Sequence, residues 1–388
     1  MTRTIIALLL TLQAGSAFAL QNIKLAGVDI NPVFSSQEKY DSNIYLTRDL
    51  VKASLYNRSM GGLNLAKEGS RLKVDVGYNV EGLFYSRAHR INDAVHHNAN
   101  ASVEMKLAEG RTLKASDRYA ATTDQATSEL TARAKRVQNN AELVYDSPLK
   151  GRLGFSVDAQ HIVNDYLVKA YKNLDRDEII GGASLNYKVQ PKTTLFLAYH
   201  FGSLKYWERA LSGTGSALHS NVDAGISGNI APKLTGKLMA GAQFRTYRKE
   251  LAGASRKKTT GGYGAQLAWK PVSKTEVVLY GKRGNVESTF SNSRFYTSTL
   301  NDLSVSREIN KFKATLGASY ESIRYPEEVP GDNAKRRDSY WNGRAGLDYN
   351  IQKWLKAGVG YAYKTRVSNY RSNNYVDNIT TLEVKGMF

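Results

Sequence analysis

The sequence of 388 residues contains no cysteine and only 7 prolines, and it has no long apolar run beyond its first 20 residues. Without cysteine the chain can form no disulfide bond and offers no thiol for a lipid anchor. Its mean hydropathy is −0.44, and no later segment reaches the roughly 20 apolar residues that a membrane-spanning helix needs. A membrane location would therefore require a closed β-barrel, the other structure that satisfies every backbone polar group in lipid.

The first residues have the pattern of a secretory signal peptide. Arg3 supplies a positive charge, residues 5–12 form a short apolar run, and Ala17-Phe18-Ala19 has the small-x-small pattern of a cleavage site. We expect residues 1–19 to be removed on export and residues 20–388 to form the mature protein. No Pro-, Gly- or Ser-rich linker divides the mature part, so we predict a single domain.

The chain is rich in tyrosine, with 24 residues, and in glycine, with 32. Tyrosine favours strands and glycine favours tight turns. In "RLKVDVGYNVEGLFY", Leu72, Val76 and Phe84 share one face of a strand, while Lys73 and Glu81 share the other. The same alternation recurs in "LTGKLMAGAQFR", "YWNGRAGLDY" and "LKAGVGYAYK". Repeated strands with one apolar and one polar face predict an all-β antiparallel barrel that contacts lipid outside and water inside.

The connections predict the number of strands. Eight compact turns, "KEGS", "AEGR", "DSPLKG", "VQPK", "IAPK", "KPVSK", "REINK" and "NIQK", recur at intervals of roughly 35 to 45 residues, enough for two strands and a loop. They imply about 18 strands if the first lies within residues 24–37 and the last ends at Phe388, and 16 otherwise. The polar stretches "SRAHRINDAVHHN", "VKAYKNLDRDE", "YPEEVPGDNAKRRD" and "RVSNYRSNNYVDN" are predicted to be longer extracellular loops.

The closing stretch "TTLEVKGMF" alternates as a last barrel strand would, with Leu382, Val384 and Phe388 on one face. Its final aromatic residue resembles the C-terminal signal by which outer-membrane barrels reach the barrel-assembly machinery. Gly386 departs from that pattern, since a bulky apolar residue is usual at its position.

The two ends of the chain carry a more specific resemblance. The opening "VDINPVFSSQEKYDSNIYLT" and the closing "RRDSYWNGRAGLDYNIQKWLKAGVGYAYKTRVSNYRSNNYVDNITTLEVKGMF" resemble the putative beta-barrel porin family found in exopolysaccharide and capsule gene clusters. The resemblance implies an outer-membrane barrel of a Gram-negative bacterium through which, or beside which, a surface polysaccharide leaves the cell. It implies a periplasmic polysaccharide-export protein as a partner. It brings no catalytic motif, so we expect no enzyme activity, catalytic residue, metal or cofactor.

The polar faces of the predicted strands provide candidate residues for the lining of the lumen. They are Lys73, Asp75, Glu81, Lys237, Arg245, Lys313, Glu321, Arg344, Asp348, Lys356, Lys364, Glu383 and Lys385. Basic residues outnumber acidic ones there, which would favour anions such as an anionic polysaccharide. The alternative is that these charges form ion pairs with one another along a solvated wall.

The remaining basic residues and the inward tyrosines suggest further roles. The formal net charge is +19, and basic loop runs at residues 256–258 and 335–337 suit contact with phosphates of outer-membrane lipids and lipopolysaccharide. Nucleic acid is not an expected partner, because the chain is exported. Inward tyrosines, such as Tyr85, Tyr325 and Tyr340, could stack on sugar rings, or belong to the interfacial girdles of the barrel.

Two other functions compete with polysaccharide export. A general diffusion porin for small solutes is the nearest rival, and an outer-membrane barrel enzyme acting on lipid or peptide is the third. His200 with Ser203 is the nearest approach to a catalytic dyad, but a three-residue offset in a strand puts the two side chains on opposite faces. His96 and His97 are adjacent, so they cannot both bind one metal from the same strand.

Overall fold

The computed structural model describes residues 23–207, 215–250, 255–289, 293–329 and 331–387. The predicted signal peptide and Phe388 lie outside these residues, so the cleavage site and the last residue of the assembly signal stay predictions. Within the described ranges no helix has the length and apolar character needed to cross a membrane.

About three quarters of the described chain forms antiparallel strands. In chain order they are β1 Ile23–Leu25, β2 Val28–Asp41, β3 Ser54–Glu68, β4 Leu72–Tyr85, β5 Ala94–Lys106, β6 Thr112–Thr122, β7 Arg136–Pro148, β8 Leu153–Tyr166, β9 Arg176–Gln190, β10 Thr193–Tyr206, β11 Ala217–Ala231, β12 Leu234–Tyr247, β13 Lys257–Trp269, β14 Thr275–Glu287, β15 Phe295–Ile309, β16 Phe312–Val329, β17 Ala334–Asn350, β18 Leu355–Ser368 and β19 Tyr375–Met387. One short helix, α1 His89–Asn92, and the 3-10 turns Ala108–Gly110, Lys169–Leu174 and Arg371–Asn373 lie between them.

The sheet closes on itself between the last strand and the second. Each strand from β2 to β18 pairs with the next, and β19 pairs with β2 from Ile379 opposite Asp41 to Met387 opposite Val33. The short β1 pairs with the start of β2, just beyond the end of β19. The result is a closed antiparallel barrel of 18 strands, which confirms the predicted fold and gives each strand from β2 to β19 a neighbour on both sides.

Short and long connections alternate around the barrel, as the turn pattern predicted. All eight predicted turns lie at one end, from residues 69–71 between β3 and β4 to residues 351–354 between β17 and β18. By the convention of such barrels this end is periplasmic and the longer loops are extracellular.

The extracellular loops are shorter than predicted. The stretch "YPEEVPGDNAKRRD" is mostly strand, because β16 continues to Val329 and β17 begins at Ala334. Likewise the loop between β18 and β19 covers only residues 369–374. Above the membrane both faces of a strand meet water or loops, so polar side chains replace the apolar alternation while the backbone hydrogen bonds continue.

Two aromatic levels mark the apolar band on the outside. Trp341 is 53% exposed and its ring centroid lies 4.5 Å from that of Tyr320. Eight residues towards the periplasm, Tyr349 is 37% exposed and lies 4.9 Å from Phe312. Eight tilted strand residues span about 20–25 Å, the height of the apolar band expected of an outer-membrane barrel.

Candidate functional site

The register of the strands separates inner from outer side chains. Val76 is 41% exposed and pairs with Ala101 on the outer face. The neighbouring position, Asp75, lies on the opposite face with Ser102. Because the direct partners in a ladder share a face, this alternation can be followed through every strand.

Several of the predicted lumen charges lie in ion pairs on the inner face. Arg344 contacts Asp302 through two hydrogen bonds of 2.6 and 2.7 Å. Lys385 lies 3.0 Å from Glu383 and 3.8 Å from Asp348. These contacts favour the interpretation that the charges in this part of the wall form ion pairs with one another.

The other predicted charges have varied surroundings. Arg245 is buried against Glu287, and Lys73 reaches Glu68 near the periplasmic rim. Lys237 lies 4.8 Å from the ring of Phe196. Lys313 is in register with Asp348, Lys356 with Lys385, and Lys364 with Asp377. Asp75, Glu81 and Glu321 accept hydrogen bonds or ion pairs described below.

The most distinctive feature of the lumen, the loop of residues 123–135 between β6 and β7, was not predicted from the sequence. We call it the crossing loop. Its tip contacts β16 and β17, and β16 is the ninth strand after β7 in a ring of 18. Since nine strands are half of the ring, the loop crosses the interior from one wall to the opposite one. Its sequence, "TDQATSELTARAK", has neither periodicity nor a known motif.

The root of the crossing loop is held by a polar network. Thr123 donates its backbone N–H to Nε2 of His96 at 3.0 Å, and the other ring nitrogen of His96 lies 3.0 Å from Glu81. Arg58 contacts Glu81 at 2.8 Å and Asp124 at 3.0 Å. Because Nε2 accepts from Thr123, Nδ1 carries the proton and donates to Glu81.

This network also contains one ligand atom each from Glu81, His96 and Asp124 within 4.8 Å of one another. Both carboxylates of the group are already paired with the guanidinium of Arg58. A cation would have to displace Arg58, so we interpret the cluster as an anchor for the loop.

The tip of the crossing loop is bound to the far wall. Glu129 is 7% exposed and accepts four hydrogen bonds, from the hydroxyl of Ser288, from both the N–H and the hydroxyl of Thr289, and from the hydroxyl of Tyr325. These bonds measure 2.8, 2.5, 2.8 and 2.7 Å. A carboxylate with four donors is well compensated for its burial.

Ser128, next to Glu129, adds two further contacts. Its hydroxyl donates to Glu321 at 2.6 Å, and its carbonyl accepts from the hydroxyl of Tyr340 at 2.5 Å. Tyr325 and Tyr340 are therefore buried against the loop in this structure and present no open ring face to the lumen. Instead of stacking on sugar rings, Tyr325 and Tyr340 hold the crossing loop, which constricts the lumen.

The returning limb of the loop packs against its own side of the barrel. Ala134 is buried with Tyr166 and Leu174, and Leu130 packs on this cluster. Arg133 lies 4.8 Å from the ring of Tyr85, and burial lowers the pKa of its guanidinium from the ordinary value. An arginine keeps its charge even so, which makes this contact a cation–π interaction.

Amide side chains line the inner face of β4, β5, β7 and β8, and we call the inner face of β4–β8 the amide wall. Three amide pairs join neighbouring strands: Asn98 donates to Asn79 at 3.0 Å, Gln138 to Asn164 at 2.8 Å and Gln160 to Asn140 at 2.9 Å. Each pair uses one N–H and one carbonyl, so further donors and acceptors face the lumen.

The candidate catalytic pair is separated, as the offset predicted. His200 lies on the inner face, 3.4 Å from Asp158, whereas Ser203 is on the opposite face, in register with Ile179. The pairing of His200 with a carboxylate orients the ring, but Ser203 cannot reach that ring from the other face of β10.

With the geometry established, comparisons with known proteins identify the class. The family described as "Putative beta-barrel porin 2" matches residues 29–388, so the chain belongs to this family of outer-membrane β-barrel porins. The family predicted from the chain ends is thereby confirmed. No curated protein matches the chain.

Solved structures show a likeness of fold alone. The outer membrane protein opdK from Pseudomonas aeruginosa is 9% identical, with a TM-score of 0.50 over 93% of this chain and 98% of that one. OccK3 (OpdO) from the same organism is 15% identical, with a TM-score of 0.48 over 92% and 95% of the two chains. The FrpB iron transporter from Neisseria meningitidis is 9% identical, with a TM-score of 0.43 over 92% and 81%.

Proposed function

We propose that this outer-membrane barrel is a pore, or an accessory component, for the export of a surface polysaccharide such as an exopolysaccharide or capsule. The observation that carries the proposal is the lumen. A ring of 18 strands is wide enough for an aqueous channel, and here it combines a polar lining with a loop bound at both walls. Such a passage suits a hydrated, hydrogen-bonding chain better than a bulky folded cargo.

The proposal includes the partners that such a role requires. A periplasmic polysaccharide-export protein would deliver the chain to the periplasmic end, where the turns are short. The extracellular ends carry exposed basic residues, Arg256 and Lys257 in the β12–β13 hairpin and Lys335 and Arg337 in the β16–β17 hairpin, which suit phosphates of lipopolysaccharide. Arg336 between the last two is buried against Asp338 and is not part of this surface. The protein itself would reach the outer membrane through cleavage of its signal peptide after Ala19 and through barrel assembly guided by the last strand.

The crossing loop favours one alternative, a diffusion porin for small solutes. A constriction fixed by Glu129 at one end and by the His96 network at the other would exclude large molecules without any need for movement. A barrel enzyme is less well supported, because the family is one of porins and the predicted pair of His200 and Ser203 is split between the two faces of β10.

Fractionation of cells lacking the protein tests the proposal. Polysaccharide should disappear from the surface and accumulate in the periplasm, and the wild-type gene should restore the surface pool. The His200→Ala variant is a control for the enzyme alternative, and it should restore export fully. Normal surface polysaccharide in the deletion strain would contradict the proposal and make uptake of small solutes the next measurement.

A further inference from the structure

A recess of about 720 Å³ lies in the amide wall, close to the root of the crossing loop. Its lining includes Asn98, Asn100, Gln138, Asn140 and Asn164 on the inner face of β5, β7 and β8. A volume of this size lies in the range of small-molecule sites. The recess differs from the usual apolar pocket, because its inner side chains are mostly amides and hydroxyls.

The amide groups in the recess present fixed donors and acceptors at the same time. Gln138 is held to Asn164, and Asn98 to Asn79. Since each amide is oriented by its neighbour, its free N–H or carbonyl is positioned before any ligand binds. A row of alternating donors and acceptors matches vicinal hydroxyl groups, each of which can donate one hydrogen bond and accept others.

One cation without an ion-pair partner stands among these amides. Arg118 on β6 lines the recess, is exposed, and is in register with Asn100 and Asn140. Within the part of the chain that the structure describes, Arg118 forms no ion pair. The carboxylate of Asp75 also lines the recess, where the amides of Asn64 and Asn100 donate to it at 3.1 Å each.

We propose that this recess binds an acidic sugar residue, with the carboxylate on Arg118 and the ring hydroxyls on the surrounding amides. The planar guanidinium can hold a carboxylate through two parallel hydrogen bonds. The amides select a polyhydroxylated ring over a simple organic acid, because a ligand without hydroxyl groups would leave the amides without hydrogen-bond partners. The assignment rests on the proposed function, since it names the class of polysaccharide, an acidic one, that the lumen would pass.

Blockade of single-channel current by short oligosaccharides tests the site. The purified full-length barrel is placed in a planar bilayer, and trigalacturonate is compared with the neutral maltotriose. Trigalacturonate should bind more tightly, and Arg118→Gln should weaken it by about tenfold while leaving maltotriose unchanged, because one charge-assisted contact is lost. Asn140→Leu should weaken the binding of both.

The matched control is Lys282→Gln on β14. Lys282 is an exposed cation on the inner face, in register with Leu300, and it lies across the lumen from Arg118. Its loss should not change the preference for trigalacturonate. Equal blockade of the Arg118→Gln variant and the wild type would overturn the assignment, as would equal affinity of the wild type for the two sugars.

The two proposals can fail separately. If the deletion strain keeps its surface polysaccharide while trigalacturonate still blocks the wild-type channel through Arg118, the export proposal fails and the sugar site stands. If surface polysaccharide is lost but trigalacturonate binding does not depend on Arg118, the export proposal stands and this site is rejected.

Discussion

The two walls of the lumen solve the problem of a polar interior in different ways. On the inner face of β15–β19, which we call the ionic wall, several charges neutralise one another, as Arg344 does with Asp302 and Lys385 with Glu383. Lys356 and Lys364 on β18 are exceptions, without an ion-pair partner among the described residues. On the amide wall, neutral groups pair with one another and Arg118 keeps its charge available. The surplus of basic residues read from the sequence therefore says little about the field in the lumen, because pairing decides which charges act on a solute.

The crossing loop joins these walls, so its removal should have the largest effect. Deleting residues 126–132 and closing the gap with a short Gly-Ser linker should raise single-channel conductance severalfold, because the bridge across the lumen is lost. Conductance in planar bilayers is the measurement. Deletion of residues 371–373 from the external loop between β18 and β19 provides the control and should have little effect.

An unchanged conductance after the loop deletion would mean that the loop does not narrow the conducting path. The comparison of two walls joined by a constriction would then be wrong. Circular dichroism and heat-modifiable migration in gels would first show that the deleted barrel is folded.

The second prediction releases the loop from the far wall only. Glu129→Gln removes the charge that four donors stabilise, at an expected cost of roughly 1–3 kcal/mol to the tethered arrangement. The tip should detach part of the time, and current traces should show added transitions to a higher conductance. Glu328→Gln, at an exposed site in the β16–β17 hairpin, should leave the traces unchanged.

If Glu129→Gln gave the quiet traces of the wild type, the packing of Ala134 and Leu130 on the near wall would be sufficient to hold the loop. The tether to the far wall would then have no role in keeping the constriction closed.

The third prediction distinguishes charges that are paired from charges that are not. Changing Lys237, Lys356 and Lys364 together to Glu should move the reversal potential towards cation selectivity, since none of the three has an ion-pair partner within the described residues. The measurement uses a salt gradient across a bilayer. An unchanged reversal potential would reject their assignment to the conducting path.

Arg245 belongs to a different class and is left out of that triple variant. It is buried against Glu287, so Arg245→Glu would leave two buried carboxylates facing each other and threaten the fold. A loss of folded barrel in that variant would reflect pairing, and would carry no information on selectivity.

The smallest expected effect concerns the stability of the ionic wall. The pair of Arg344 and Asp302 is partly exposed, at 34% and 25% for the two side chains, so its coupling should be about 1 kcal/mol or less. A double-mutant cycle with Arg344→Gln and Asp302→Asn, measured by urea unfolding in lipid vesicles, gives this coupling energy. A coupling of several kcal/mol would show that the pair is effectively desolvated.

The sequence determined the barrel because its information is local and repeated. Alternation of the kind seen from Leu72 to Phe84 assigns faces residue by residue, and each short turn fixes the register of its two strands. Eight such turns were enough to predict 18 strands. The extent of the extracellular strands was not predictable in this way, because the alternation ends where lipid ends.

Only the tertiary structure decided what lies inside the barrel. The crossing loop has no pattern of its own, and its contacts join Glu129 to Tyr325 and Ser128 to Tyr340 across about 200 residues of chain. The pairing of lumen charges and the grouping of Asn98, Arg118 and Asn140 around one recess likewise depend on which strands become neighbours. Local sequence sets the face of each side chain, but closure of the ring determines which side chains meet.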